Sequence, residues 1–136
     1  MNAVDTNILV YALSADEVTK SAAAGKLLES LSSRDTVLLW QVACEFGAVL
    51  AKLVARGTAD ARVLDAMQGL RARFPLILPS PDILDSGLRI HREQQVSYWD
   101  AMLLAACAEA GVDRLYSEDI PGQPTVAGVA VVNPFG

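Results

Sequence analysis

The chain has 136 residues, a formal net charge of −5 and a pI of about 4.7, so a broad basic surface that coats nucleic acid is excluded. At this length a single domain, residues 1–136, buries a core without disulfides or structural metals. The longest apolar runs, such as Ala101 to Ala108, fall far short of the ~20 residues of a membrane span, and Asp5 follows Met1 too closely for an apolar leader, so a protein of the cytoplasm with no membrane association is expected.

In chain order, Met1 to Val4 is a short apolar run that breaks at Asp5-Thr6-Asn7 before helix-like Ile8 to Leu13, which reads as strand, loop and helix. Asp16 or Thr19 is placed to cap a second helix running through Ser33, and Thr36 to Trp40 is a β-rich buried strand. Gln41 to Arg56 has helical period and ends at Gly57, a favourable residue just past a helix. Thr58 to Phe74 reads as one further helix, Pro75 to Leu78 as a strand, and Ser80-Pro81-Asp82 as the start of the next helix. Ser97 to Ala110 is a helix that is apolar nearly all round and therefore buried, closed by Gly111. Arg114 to Tyr116 and Val129 to Val132 complete about five strands. Strands separated by helices predict an α/β fold, a three-layer α/β/α sandwich around a central parallel sheet.

Hydrophobic residues make up 52% of the chain and its mean hydropathy is +0.31, high enough that a second chain is expected to cover part of its surface. Cys44 and Cys107 both sit in apolar helical patterns without metal-ligand spacing and read as buried thiols.

Ligands of an open parallel sheet bind at the carboxyl ends of its strands. Asp5 follows the first strand, Glu45 lies in the first turns of the helix after the second, Asp100 opens the helix before the fourth, and Asp119 follows the fourth. Each acid alone has a plain role as a cap, turn former or helix-start charge, and Ser97 with Asp100 has the spacing of a capping box. Glu45 suits that role least, because Val42 and Val49 flank it at helical spacing. Carboxylates that converge repel one another unless a cation sits among them, and a set of hard oxygen donors with few His or Cys selects Mg²⁺ or Mn²⁺. Such a site suits attack of water on a phosphodiester.

Asp5-Thr6-Asn7, Glu45 within Ala43-Cys44-Glu45-Phe46, Tyr98-Trp99-Asp100-Ala101 and Ser117-Glu118-Asp119 resemble, in order, the four acidic motifs of PIN-domain ribonucleases, and the whole chain is similar to the toxin subunits of VapBC toxin–antitoxin pairs. The resemblance implies metal-dependent cleavage of single-stranded or looped RNA, homodimerisation and a small antitoxin partner. It implies direct metal ligation by Asp5 and Asp100, completion of the acidic pocket by Glu45 and Asp119, and support by hydrogen bonds from Thr6, Asn7 and Ser117. The alternative is a catalytically silent PIN-like scaffold that binds RNA or protein, against which the four intact acids argue.

Lys52 and Arg56 fall seven and eleven residues after Glu45, near its direction on the helix, and either follow an RNA backbone or balance the helix dipole. His91, between Arg89 and Arg92, is expected in solvent, with contact to RNA as the other use. Tyr98 and Trp99 read as core or dimer contacts, with base stacking as the other use.

Overall fold

The computed structural model describes residues 1–120 and 125–136. The strands are β1 (Asn2–Val4), β2 (Leu38–Leu39), β3 (Leu76–Ile77), β4 (Arg114–Tyr116), β5 (Thr125–Val126) and β6 (Val129–Val132). The helices are α1 (Thr6–Leu13), α2 (Val18–Ser30), α3 (Trp40–Ala55), α4 (Asp65–Arg73), α5 (Ile83–Gln94) and α6 (Tyr98–Glu109). One sheet has the order β1-β4-β6-β5, and β2 pairs with β3 in parallel. A parallel bridge between Asn2 and Thr36 sets that pair beside β1, so the strands run β3-β2-β1-β4-β6-β5 across the molecule. All the pairings are parallel except β5 with β6, and the helices make the whole close to a three-layer sandwich.

The sheet turns back at β1 and β4. From β1 the chain proceeds outward to β2 and β3, and from β4 it proceeds the other way to β6, so the crevice where ligands of such sheets bind opens between the carboxyl ends of β1 and β4. The register pairs Val4 with Tyr116, and the next residues, Asp5 and Ser117, therefore leave the sheet side by side.

Helix α6 is buried from Ala101 through Cys107 on every side, as its sequence requires. Leu103 and Leu104 are among the largest fully covered side chains, and burial of each contributes roughly 1.5–3 kcal/mol. Its first turn projects past this core: Tyr98 and Trp99 are exposed and Asp100 is half-buried.

Four elements differ from the sequence expectation. Helix α2 is capped by neither Asp16 nor Thr19, since Glu17 stands at its N-cap without a side-chain bond, and it ends at Ser30 rather than Ser33. The stretch from Thr58 to Phe74 is not one helix, because the Asp60 side chain accepts from Arg62 N–H at 2.9 Å and closes a 3-10 turn over Ala61–Leu64 before α4 begins. Trp40 belongs to α3 rather than to the preceding strand. Strand β5, which the sequence does not announce, forms an antiparallel hairpin with β6 through Ala127 and Gly128, whose φ angles of 53° and 79° are the pair of positive values that a two-residue hairpin turn of this hand requires.

Candidate active site

Asp5 is the N-cap of α1, its carboxylate accepting from Thr6 N–H at 2.7 Å and from the Ser117 hydroxyl at 2.7 Å. Asp5 and Ser117 are both buried, at 8% and 1% exposure, so these bonds form away from water. The Thr6 hydroxyl donates to Glu45 Oε2 at 3.0 Å, linking α1 to α3. Asn7 spans the end of β4 in the same way: its Nδ2 donates to Asp119 Oδ2 at 3.0 Å, and its Oδ1 accepts from Glu118 N–H at 3.4 Å. The Ser117 hydroxyl also accepts from Asp119 N–H at 3.3 Å. Thr6, Asn7 and Ser117 thus each hold a carboxylate from a different part of the chain.

The capping-box arrangement at Asp100 is made in one direction only. Ser97 Oγ accepts from the Asp100 backbone N–H at 3.2 Å, which caps α6 without using the Asp100 carboxylate. Burial raises the Asp100 carboxyl above the ordinary aspartate range, the nearby Ser97 hydroxyl opposes this, and the Asp119 and Glu45 charges add to it. Burial likewise raises Asp5, opposed by its bonds from Ser117 and Thr6 and reinforced by the charges of Glu45 and Asp100. The four acids of the sequence analysis therefore meet at one sheet edge and feel one another.

A PIN domain model matches residues 3–120. The chain belongs to the PIN domain family. Its fold is shared by a toxin–antitoxin complex from Klebsiella pneumoniae, with a TM-score of 0.68, 21% identity and 98% of each chain covered. It is also shared by FitAcB from Neisseria gonorrhoeae, with a TM-score of 0.72, 16% identity and 99% of each chain covered. A third neighbour is the Mycobacterium tuberculosis VapC toxin that cleaves the sarcin–ricin loop, with a TM-score of 0.65, 19% identity, and 88% of this chain and 90% of that one covered. No curated protein matches the sequence significantly.

PIN-domain nucleases generally use divalent metal ions. The donor set of this PIN domain fits such an ion. Asp5, Glu45, Asp100 and Asp119 supply only hard oxygens, and the hydrogen bonds that hold three of them come from hydroxyl, amide and backbone donors that leave the negative charge uncancelled. Among the described residues no three His, Cys, Asp or Glu side chains lie close enough together to hold a metal ion as they stand.

Lys52 and Arg56 are exposed along α3, outside this hydrogen-bonded group. Gln41 lies outside the four acidic motifs, one helical turn before Glu45; its Nε2 donates to Glu45 Oε1 at 2.9 Å and to the Trp99 carbonyl at 3.0 Å, tying α3 to the start of α6. Three expectations are corrected. Glu45 is exposed, because the buried stripe of α3 runs through Val42, Ala43, Phe46 and Leu50 and leaves it outside. Cys44, on the same side as Glu45, is exposed, whereas Cys107 is buried and its thiol pushed up to about 12 by that burial. Tyr98 and Trp99 are not core residues: Trp99 is 65% exposed and stacks edge-on against Tyr98 at 5.3 Å. His91 is exposed as expected, with Nδ1 2.7 Å from the Val96 carbonyl. Beside the carboxylates, Leu39, Trp40, Glu45, Trp99 and Met102 line part of an open, mainly apolar groove of about 530 Å³.

Proposed function

We propose that this PIN domain is a metal-dependent endoribonuclease that cleaves single-stranded or looped RNA in the cytoplasm and is the toxin of a toxin–antitoxin pair. The observation that carries the reading is the meeting of Asp5, Glu45, Asp100 and Asp119 at the β1/β4 crevice, two of them with carboxyls raised by burial and by their neighbours' charges. A built cluster of repelling acids disfavours the apo fold, and a cation removes that repulsion.

In this reading Asp5 and Asp100 are the direct ligands of Mg²⁺ or Mn²⁺, and Glu45 and Asp119 complete the pocket. A divalent ion held by these carboxylates would supply Lewis acidity toward the scissile phosphate and would lower the pKa of a water bound to it. Thr6 and Gln41 hold Glu45 between them, Asn7 holds Asp119, and Ser117 holds Asp5, so the carboxylates are oriented before substrate arrives. Lys52 and Arg56 contact RNA phosphates along α3. The toxin assignment, with a homodimer and a small antitoxin as partners, is supported by the toxin–antitoxin complex of K. pneumoniae and the RNA-cleaving toxin of M. tuberculosis among the neighbours, and by the high apolar content.

The test is incubation of the purified protein with assorted RNAs in Mg²⁺ or Mn²⁺, then in EDTA, together with Asp5→Asn, which keeps the cap of α1. Cleavage that needs the metal and falls by orders of magnitude in the variant is expected; full cleavage in excess EDTA refutes the proposal.

A further inference from the structure

We propose that Lys20 is a positioning residue for the Asp119 carboxylate, acting through Glu118. This rests on the nuclease reading and adds to it a residue that lies in none of the four acidic motifs.

Lys20 stands on α2, and its ammonium contacts the Glu118 carboxylate. The same Nζ reaches the Tyr11 hydroxyl at 3.3 Å and sits 4.8 Å from the centre of the Tyr11 ring and 5.7 Å from that of Phe135. Those two rings meet edge to face at 5.2 Å. The side chains of Lys20 and Glu118 are only 33% and 20% exposed. A cation held by a carboxylate, a phenol and two ring faces is committed inside the fold, so its influence on the site passes along the chain rather than directly to RNA.

That chain is short. Ser117 and Asp119 are bonded toward the carboxylates, through Asp5 and Asn7, whereas the Glu118 side chain leaves in another direction, to α2. The Glu118 backbone N–H donates to Asn7 Oδ1, and Asn7 Nδ2 donates to Asp119 Oδ2. The segment is therefore gripped from within the site by Asp5 and Asn7 and from outside it by Lys20, with the Tyr11 hydroxyl against the same Glu118 carboxylate. Removal of the ammonium leaves the Glu118 charge uncompensated beside Asp119, with the Tyr11 hydroxyl as its neutral partner, so the peptide that sets the direction of Asp119 loses its charged outer anchor. A shift of about 1 Å in a reacting geometry costs on the order of a hundredfold in rate.

The experiment compares Lys20→Met, Glu118→Gln and the double variant, in the full chain. In metal-free protein, amide hydrogen exchange at Glu118 and Asp119 is expected to quicken by about tenfold in each single variant while Arg114 to Tyr116 of β4 keeps its protection, with the double variant no faster than the faster single one, since all three remove one interaction. With RNA and Mn²⁺, kcat is expected to fall by about ten- to a hundredfold at an unchanged KM, and Lys20→Arg to recover most of it. A raised KM with normal kcat and normal exchange in Lys20→Met would place the ammonium on an RNA phosphate and overturn the proposal. Faster exchange through β4 and α1 alike would also overturn it, by making the pair a general support of the fold. If the parent cleaves no RNA with any metal the nuclease reading fails, and the exchange data still decide whether Lys20 holds the segment.

Discussion

Asparagine at Asp100 separates a metal ligand from a helix cap. The cap of α6 is the Ser97 hydroxyl on the Asp100 backbone N–H, a bond that Asp100→Asn leaves in place. If the carboxylate serves only the helix start, parent and variant respond alike to metal. If it is a ligand, the two conditions diverge. In EDTA the variant loses the repulsion of Asp119 and Glu45 and is as stable as the parent or more so, by less than about 1 kcal/mol because the half-exposed site is screened by water. At free Mn²⁺ one hundred times the parent's dissociation constant, the parent gains about 2.7 kcal/mol and a variant of thirtyfold weaker affinity about 0.9 kcal/mol. With an unfolding entropy of about 2.1 cal/mol/K per residue over 136 residues, these gains are upward shifts in Tm of about 9 °C and about 3 °C. Scanning calorimetry of both proteins in EDTA and in Mn²⁺ measures all four values. The order of stability is expected to reverse between the two buffers, and equal metal-induced shifts would refute ligation by Asp100.

Other consequences are open to measurement. Asp5 and Asp100 titrate above the ordinary aspartate value of 3.8 in the metal-free fold, chiefly through burial, so the folded state holds these protons more tightly than the unfolded chain and their contribution to stability declines as pH rises through that raised range. The metal-free stability of Asp100→Asn relative to the parent should therefore climb with pH above about 3.8 and then level off, and a relative stability that falls with pH contradicts the assignment. A methyl group at Gly87 would run into Met102 Sδ and lie 3.4 Å from Met102 Cα, so Gly87→Ala should lose about 1–3 kcal/mol where α5 crosses α6; an unchanged urea midpoint would remove that close approach. An aromatic disulfide reagent should titrate Cys44 in the native protein and reach Cys107 only after denaturation, and equal rates for both thiols would contradict their different burial.

The sequence locates the acids by element and leaves open which side of each element is covered. Strand ends are readable because apolar runs stop at Asp5 and at Ser117, and the apolar circumference of α6 announces its burial. Glu45 shows the limit of periodicity. Val42 and Val49 suggest an apolar stripe around it, yet the buried residues of α3 are Val42, Ala43, Phe46 and Leu50, and the neighbouring side with Cys44, Glu45 and Ala48 faces the groove. Trp99 is exposed for a related reason: it lies in the first turn of α6, which projects beyond the core. The bonds that assemble the site cannot be read from spacing, because Asp5 to Ser117 and Asn7 to Asp119 each span 112 residues. They follow from one choice of register, Val4 opposite Tyr116. A slip of one residue would turn alternate side chains to the other face of the sheet and carry the Ser117 hydroxyl away from Asp5. Ala3 and Leu115, both fully buried in the paired strands, oppose that slip, so the core that they enter also sets the alignment of the carboxylates.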